Sequence, residues 1–187
     1  QQAWLQPIII NNNYKTFFIT EIPYLLMNRP NVYFDYCNYK SAELPYFKDG
    51  LSCFKEITNE IRNQIVLNKK TNNFFFIEKF NPGHINSTKV KGSSIETERL
   101  EYLKSLQIAN VWLKKTITFI EKNDPEAIII IGADHGGYVG FEYTSQSKNK
   151  ISDRKLLNSI FGAKLAIKWN DSQHANYDSK LKTSVNL

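Results

Sequence analysis

The chain is short of sulfur, short of histidine and without a long apolar run, and each shortage narrows what it can be. Its 187 residues include two cysteines, one methionine and three histidines. Cys37 and Cys53 have neither CxxC spacing nor a neighbouring histidine, which argues against a cysteine-built zinc site. A disulfide in an extracytoplasmic protein and a pair of buried free thiols both fit two such residues. No apolar stretch approaches the roughly 20 residues that a membrane-crossing helix needs. Internal repeats and low-complexity linkers are absent too. No basic run interleaved with aromatics marks a nucleic-acid groove, so no nucleic-acid partner is expected. The opening residues, QQAWLQPIII, hold no basic n-region and no initiating methionine. No secretory signal is therefore read there, and a start at Gln-Gln reads as cut from something longer.

What is abundant points to a folded globule. Twelve Phe and ten Tyr supply enough apolar bulk for an α/β or α+β core and argue against disorder. The formal net charge is +6, with the lysines scattered along the chain. A basic balance can attract anionic glycans or phosphate-bearing lipids; scattered lysines also fit the composition of a lysine- and asparagine-rich proteome.

Local patterns set out the elements. KTFFITEI, residues 15–22, reads as a strand after the polar NNN turn. Pro23 and Pro30 bracket a short helix or irregular stretch. From Tyr46 to about Leu67 the spacing predicts a helix, because Phe47, Leu51, Phe54, Ile57, Ile61 and Ile65 recur every three or four residues. FFFIEKF, residues 74–80, reads as a strand, and the Pro-, Gly-, Asn- and Ser-rich NPGHINSTKVKGSS as a loop. Ser93 and Glu96 have capping-box spacing. The helix they open runs to about Lys122, with Leu100, Leu103, Leu106, Leu113, Ile117 and Ile120 as its apolar stripe. Its acids Glu96, Glu98 and Glu101 come early and Lys114, Lys115 and Lys122 late, as the helix dipole favours. AIIII is then a strand so uniformly apolar that both faces should be covered. DRKLLNSIF reads as helix, AKLAIKW as strand and the tail from Asn170 as polar loop.

The order strand, long helix, strand over residues 74–131 is that of a βαβ unit with parallel strands. Open α/β sheets bind ligands at the carboxyl ends of such strands. Both strands here run into loops bearing Gly and His, FNPGH and GADHGG, so His84 and the Asp134–His135 pair are expected at one sheet edge. Adjacent side chains ordinarily point apart, but the sharp turn that Gly136 and Gly137 permit lets both reach one metal ion. A carboxylate with a neutral imidazole suits zinc or manganese better than calcium or magnesium. The plainer reading of the same residues is Asp134 capping a turn with His135 at the surface. His174, in the polar stretch NDSQHANYD, reads as a surface residue.

IIIIGADHGG, preceded by EYLKSLQIANVWLKKTITFIEKNDPEA, resembles the sulfatase and alkaline phosphatase superfamily. It looks closest to the sulfatase-like branch that contains lipoteichoic acid synthases and phosphoethanolamine transferases. In that branch an apolar strand ends in Ser-Asp-His-Gly, whose Asp and His bind the catalytic metal; the matching residues are Asp134 and His135. FFFIEKFNPGH resembles the branch's FxFxHxxxPHxP phrase, with His84 near the Pro-His position and Gly83 inserted. Glu78 stands where the first histidine of that phrase would be. LLNSIFGAKLAIKW resembles the stretch that lays down a further sheet strand, and NNNYKTFFIT resembles the GYxTxxI phrase, with Asn13 for Gly. The likeness runs from about Asn11 to the end.

The resemblance implies an α/β fold, a mostly parallel sheet with helices on both faces, alkaline-phosphatase-like and incomplete. Residues 1–187 would form a single C-terminal portion of a sulfatase-like catalytic domain with no internal boundary. A divalent metal, manganese or zinc, would be held by Asp134 and His135, and the substrate would be met at His84 and Glu78. That substrate would be a phosphate or sulfate ester of a cell-envelope polymer or lipid. The setting would be extracytoplasmic, with any membrane anchor outside this chain. The family's nucleophile and first metal carboxylate precede the GYxTxxI phrase, where this chain has only PIIINNN. Thr16 and Thr20 lie inside a predicted strand, so no catalytic nucleophile is assigned and the chain alone is expected to be inactive. Two alternatives stand beside this reading. One is a non-catalytic sulfatase-like domain that binds an anionic glycan or scaffolds a partner. The other is an unrelated α/β protein in which Asp-His-Gly is coincidental.

Overall fold

A computed structural model of the chain describes residues 9, 11–28, 33–47, 50–83, 94–141 and 152–174. It has mixed α/β content and forms two compact units, Gln1–Phe80 and Asn81–Leu187.

The first unit is built on a three-stranded sheet. Strand β1 (Lys15–Thr20) lies between β2 (Tyr36–Cys37) and β3 (Asn73–Glu78), and both neighbours run parallel to it. From Thr16 onward every residue of β1 is buried, as the centre of a parallel sheet requires. Register sets Phe17 beside Phe75 and Phe18 beside Phe76. Their rings stack with centroids 4.3 and 5.1 Å apart, contacts of about 0.5–1.5 kcal/mol each beyond simple burial. After β1, helix α1 (Tyr24–Asn28) follows Pro23, and α2 (Thr58–Leu67) buries Ile61 and Ile65.

The helix expected from Tyr46 begins only at Thr58. Gly50 sits at φ +69°, a left-handed conformation that ends any right-handed helix through it. Leu51 and Phe54, spaced for a helix core, are more than half exposed instead. The carboxyl rim of the sheet is closed by polar pairs. The Thr20 hydroxyl donates to Glu78 Oε2 at 2.5 Å, and Asn38 brackets the Thr20 backbone on both sides. The fully buried Glu21 carboxylate takes the Lys79 ammonium and the Phe80 N–H.

The second unit holds α3 (Ile95–Asn123), β4 (Ile129–Gly132), α4 (Arg154–Phe161) and β5 (Leu165–Lys168). β4 pairs antiparallel with β5, in a sheet separate from that of β3. The expected βαβ unit is therefore not formed by ladder pairing: β3 gives its hydrogen bonds to β1, and β4 exchanges its own with β5. Parallel order holds for the first sheet only. Nor is the AIIII stretch covered on both faces, since Ile128, just before β4, and Ile130 within it are 53% and 55% exposed. Two-faced burial belongs to strands inside a parallel sheet, and β4 alternates as an antiparallel strand does.

Helix α3 starts one residue later than capping-box spacing suggests. Ser94 is the N-cap, its hydroxyl accepting the Thr97 N–H at 3.1 Å. The buried residues of α3 are Glu98, Ala109 and Thr116, whereas Leu100 and Leu103 of the expected stripe are exposed. Among the described residues no helix is long and apolar enough to cross a membrane.

Candidate metal centre

Beyond β4 the chain turns back on itself between α3 and α4. Ala133 N–H continues the ladder onto the Lys164 carbonyl at 2.9 Å. Gly136 N–H then donates to the Ile160 carbonyl, Tyr138 N–H to the Ser159 carbonyl, and the Ser159 hydroxyl to the Val139 carbonyl. Gly140 N–H reaches the Glu98 carboxylate of α3 at 2.9 Å. This path leaves no room for side chains at the paired glycines. A Cβ on Gly136 would strike the Ser159 carbonyl, and one on Gly137 would fall within the Tyr102 ring. Gly140 has φ +88°, and Tyr138 also adopts positive φ, at 59°. The glycines are there because two helices close on the turn.

That turn makes neighbouring side chains converge. His135 Nε2 lies 3.4 Å from Asp134 Oδ2, with the carboxylate largely exposed and the imidazole mostly covered. Asp134 Oδ1 accepts the N–H of His135 at 2.9 Å, so its carboxylate is oriented by the chain it precedes. On the ring's other side Nδ1 is 2.7 Å from the Gly136 carbonyl. A carbonyl oxygen only accepts, so Nδ1 carries the hydrogen of this contact, the tautomer that leaves Nε2 as the donor atom for a metal. Tyr138 meets the imidazole edge-on at 5.1 Å between centroids. An imidazole Nε2 and a carboxylate oxygen 3.4 Å apart can share a cation, either a proton or a metal ion.

The donor set fits a metal. Nitrogen and oxygen ligands about 2.0–2.2 Å from a zinc ion, set at a tetrahedral angle, are themselves about 3.4 Å apart. An imidazole whose Nδ1–H is held by a backbone carbonyl has the outer-shell support usual for ligating histidines. Among the described residues no group of three or more His, Cys, Asp and Glu side chains could hold a metal ion; the Asp134–His135 pair offers two donors.

Glu78 is the last residue of β3, in the first unit, where its carboxylate accepts the Thr20 hydroxyl. His84 lies outside the described residues. Thr16 and Thr20 are buried within β1, their hydroxyls on Asp35 and on Glu78 and the Ile22 carbonyl. His174 is exposed, with Nδ1 2.8 Å from the Asp171 carboxylate and its ring stacked on Trp169. Cys37 and Cys53 are free thiols, and burial pushes the Cys37 thiol above its ordinary range. Glu98 escaped the sequence reading as a site residue, because an acid in a helix's first turn already suits the dipole. Its position four residues before Tyr102, on the same helix face, was the available signal.

Compared with known proteins, the chain matches no family model, no curated protein and no solved structure.

Proposed function

We propose that the chain is the C-terminal portion of a metal-dependent, sulfatase-like hydrolase or transferase, alkaline-phosphatase-like in its complete fold. It would act outside the cytosol on a phosphate or sulfate ester of an envelope polymer or lipid. The observation that carries this reading is the convergence of Asp134 Oδ2 and His135 Nε2 at 3.4 Å on a strand-end turn. A bound zinc or manganese ion would lower the pKa of the attacking nucleophile and neutralise charge on the transferring group. The chain's own contribution is to hold the two donors. The His135 N–H aims the carboxylate, the Gly136 carbonyl keeps the proton on Nδ1, and Tyr138 restrains the ring. His84, by its place in the resemblance, would meet the anionic oxygens of the substrate. The nucleophile is assigned to no residue of this chain, since the Thr16 and Thr20 hydroxyls are buried and bonded to Asp35 and to the Ile22 carbonyl and Glu78.

Zinc and manganese titrations of the purified chain test the proposal. Asp134→Ala and His135→Ala should each abolish uptake, and uptake unchanged by both variants would sink it.

One observation favours a second reading, a non-catalytic sulfatase-like domain that binds an anionic glycan or scaffolds a partner. Glu78 puts a carboxylate, tied to Thr20, where the resemblance implies a substrate-contacting histidine. An acid there cannot make the histidine's contact with the ester to be cleaved, which argues for loss of turnover and leaves the glycan or partner to be met by other residues. Turnover of a generic phosphodiester by the full gene product would exclude this second reading.

A further inference from the structure

We propose that Glu98 is the positioning residue of the Asp134–His135 turn: its carboxylate, bonded to Gly140, sets the backbone that presents the His135 imidazole to Asp134. The functional meaning rests on the metal-site reading above; the positioning itself does not.

The turn is held along one side by α4, through the Ile160 and Ser159 carbonyls and the Ser159 hydroxyl. These anchors lie close in sequence to β5, whose ladder with β4 already fixes that side. The other side is held from α3, by Tyr102 against Gly137 and by Glu98 Oε2 on Gly140 N–H at 2.9 Å. Glu98 is 3% exposed although it is a carboxylate, and its acceptor bond spans 42 residues of sequence. A buried acid is retained where its hydrogen bonds are made, and a charged acceptor bonds about twice as strongly as a neutral one. Its place in the first turn of α3 adds the favourable end of the helix dipole.

Gly140 sits at φ +88°, and Phe141, next to it, is 2% exposed and donates its N–H back to Tyr138. Tyr138 is in turn the residue whose ring abuts His135. A shift at Gly140 therefore passes through Phe141 and Tyr138 to the imidazole. Glu98 touches neither donor itself and acts through this backbone.

The test is the ring tautomer of His135, read from long-range 1H–15N spectra at about pH 8.5, where an ordinary imidazole is neutral. The wild-type ring should carry its proton on Nδ1, and Glu98→Gln, which keeps an acceptor at the same reach, should leave it there. Glu98→Ala should release the ring into a mixture with the Nε2–H form and speed amide exchange at Gly140. Zinc affinity in that variant should fall roughly 10- to 100-fold, as for losses of outer-shell support elsewhere. Should Glu98→Ala fail to fold by circular dichroism, Glu98→Asp keeps the charge but shortens its reach, and should give the same tautomer change. An unaltered Nδ1–H ring in a folded Glu98→Ala or Glu98→Asp protein would overturn the proposal, whatever happens at Gly140. A wild-type chain that takes up no zinc while Glu98→Ala still changes the tautomer would overturn the metal reading and leave the positioning role standing.

Discussion

His135 Nε2 lies 3.4 Å from Asp134 Oδ2, just ahead of Gly136 and Gly137, which have no room for a side chain. Consecutive residues rarely aim their side chains at one point. Here they do so at the head of a turn that packs against Tyr102 of α3 and Ser159 of α4. Changes in that packing should be felt at the pair.

Gly137→Ala tests that dependence. The added methyl must displace the Tyr102 ring or the turn, and overpacking of this kind costs about 1–3 kcal/mol. Urea denaturation should show a loss in that range. Tyr102→Val, which vacates the space, should recover part of it in the double variant, giving a coupling energy that distant sites would lack.

Much of the fold could be read from residues alone, and the failures have physical causes. KTFFITEI and FFFIEKF announce strands by aromatic and β-branched density, and strands form over Lys15–Thr20 and Asn73–Glu78, in parallel register with each other. β2 is only two residues long and has no pattern to detect. The helix expected from Tyr46 had the right spacing, but periodicity is blind to a left-handed glycine at 50. On α3 the leucines suggested one buried stripe; Leu100 and Leu103 instead face solvent, and smaller residues, Ala109 and Thr116, turn inward. Asp134 and His135 stood out through their place after four isoleucines. Gly136 and Gly137 pointed to a turn that lets the two side chains meet; the contacts that hold that turn, from Tyr102, Ser159 and Glu98, could not be read because each is distant in sequence.

The Glu21–Lys79 pair offers a check on the first unit. Glu21 is fully buried and bonded to the Lys79 ammonium and the Phe80 N–H. Lys79→Met should strand a buried charge and cost about 3 kcal/mol by chemical denaturation. Adding Glu21→Gln, which removes that charge but still accepts the Phe80 N–H, should restore much of the loss.

Acid stability should carry the mark of Asp35. The Thr16 N–H, and then the Thr16 hydroxyl, hold its carboxyl below the ordinary value. A folded pKa below the unfolded one stabilises above the unfolded value, about 3.9, and that contribution fades as pH falls through the folded value. Asp35→Asn should therefore be less stable than wild type at about pH 7, with the gap narrowing by about pH 3 in urea melts. A gap that is constant across this range would show that Asp35 contributes no titrating interaction.

The most direct measurement is the 15N spectrum of the His135 ring during a zinc titration. Donation through Nε2 should move the Nε2 resonance in step with zinc saturation while the Nδ1–H signal persists, and Asp134→Asn should shift that response to much higher zinc. A His135 ring left unmoved by zinc, or one that responds through Nδ1, would contradict the account.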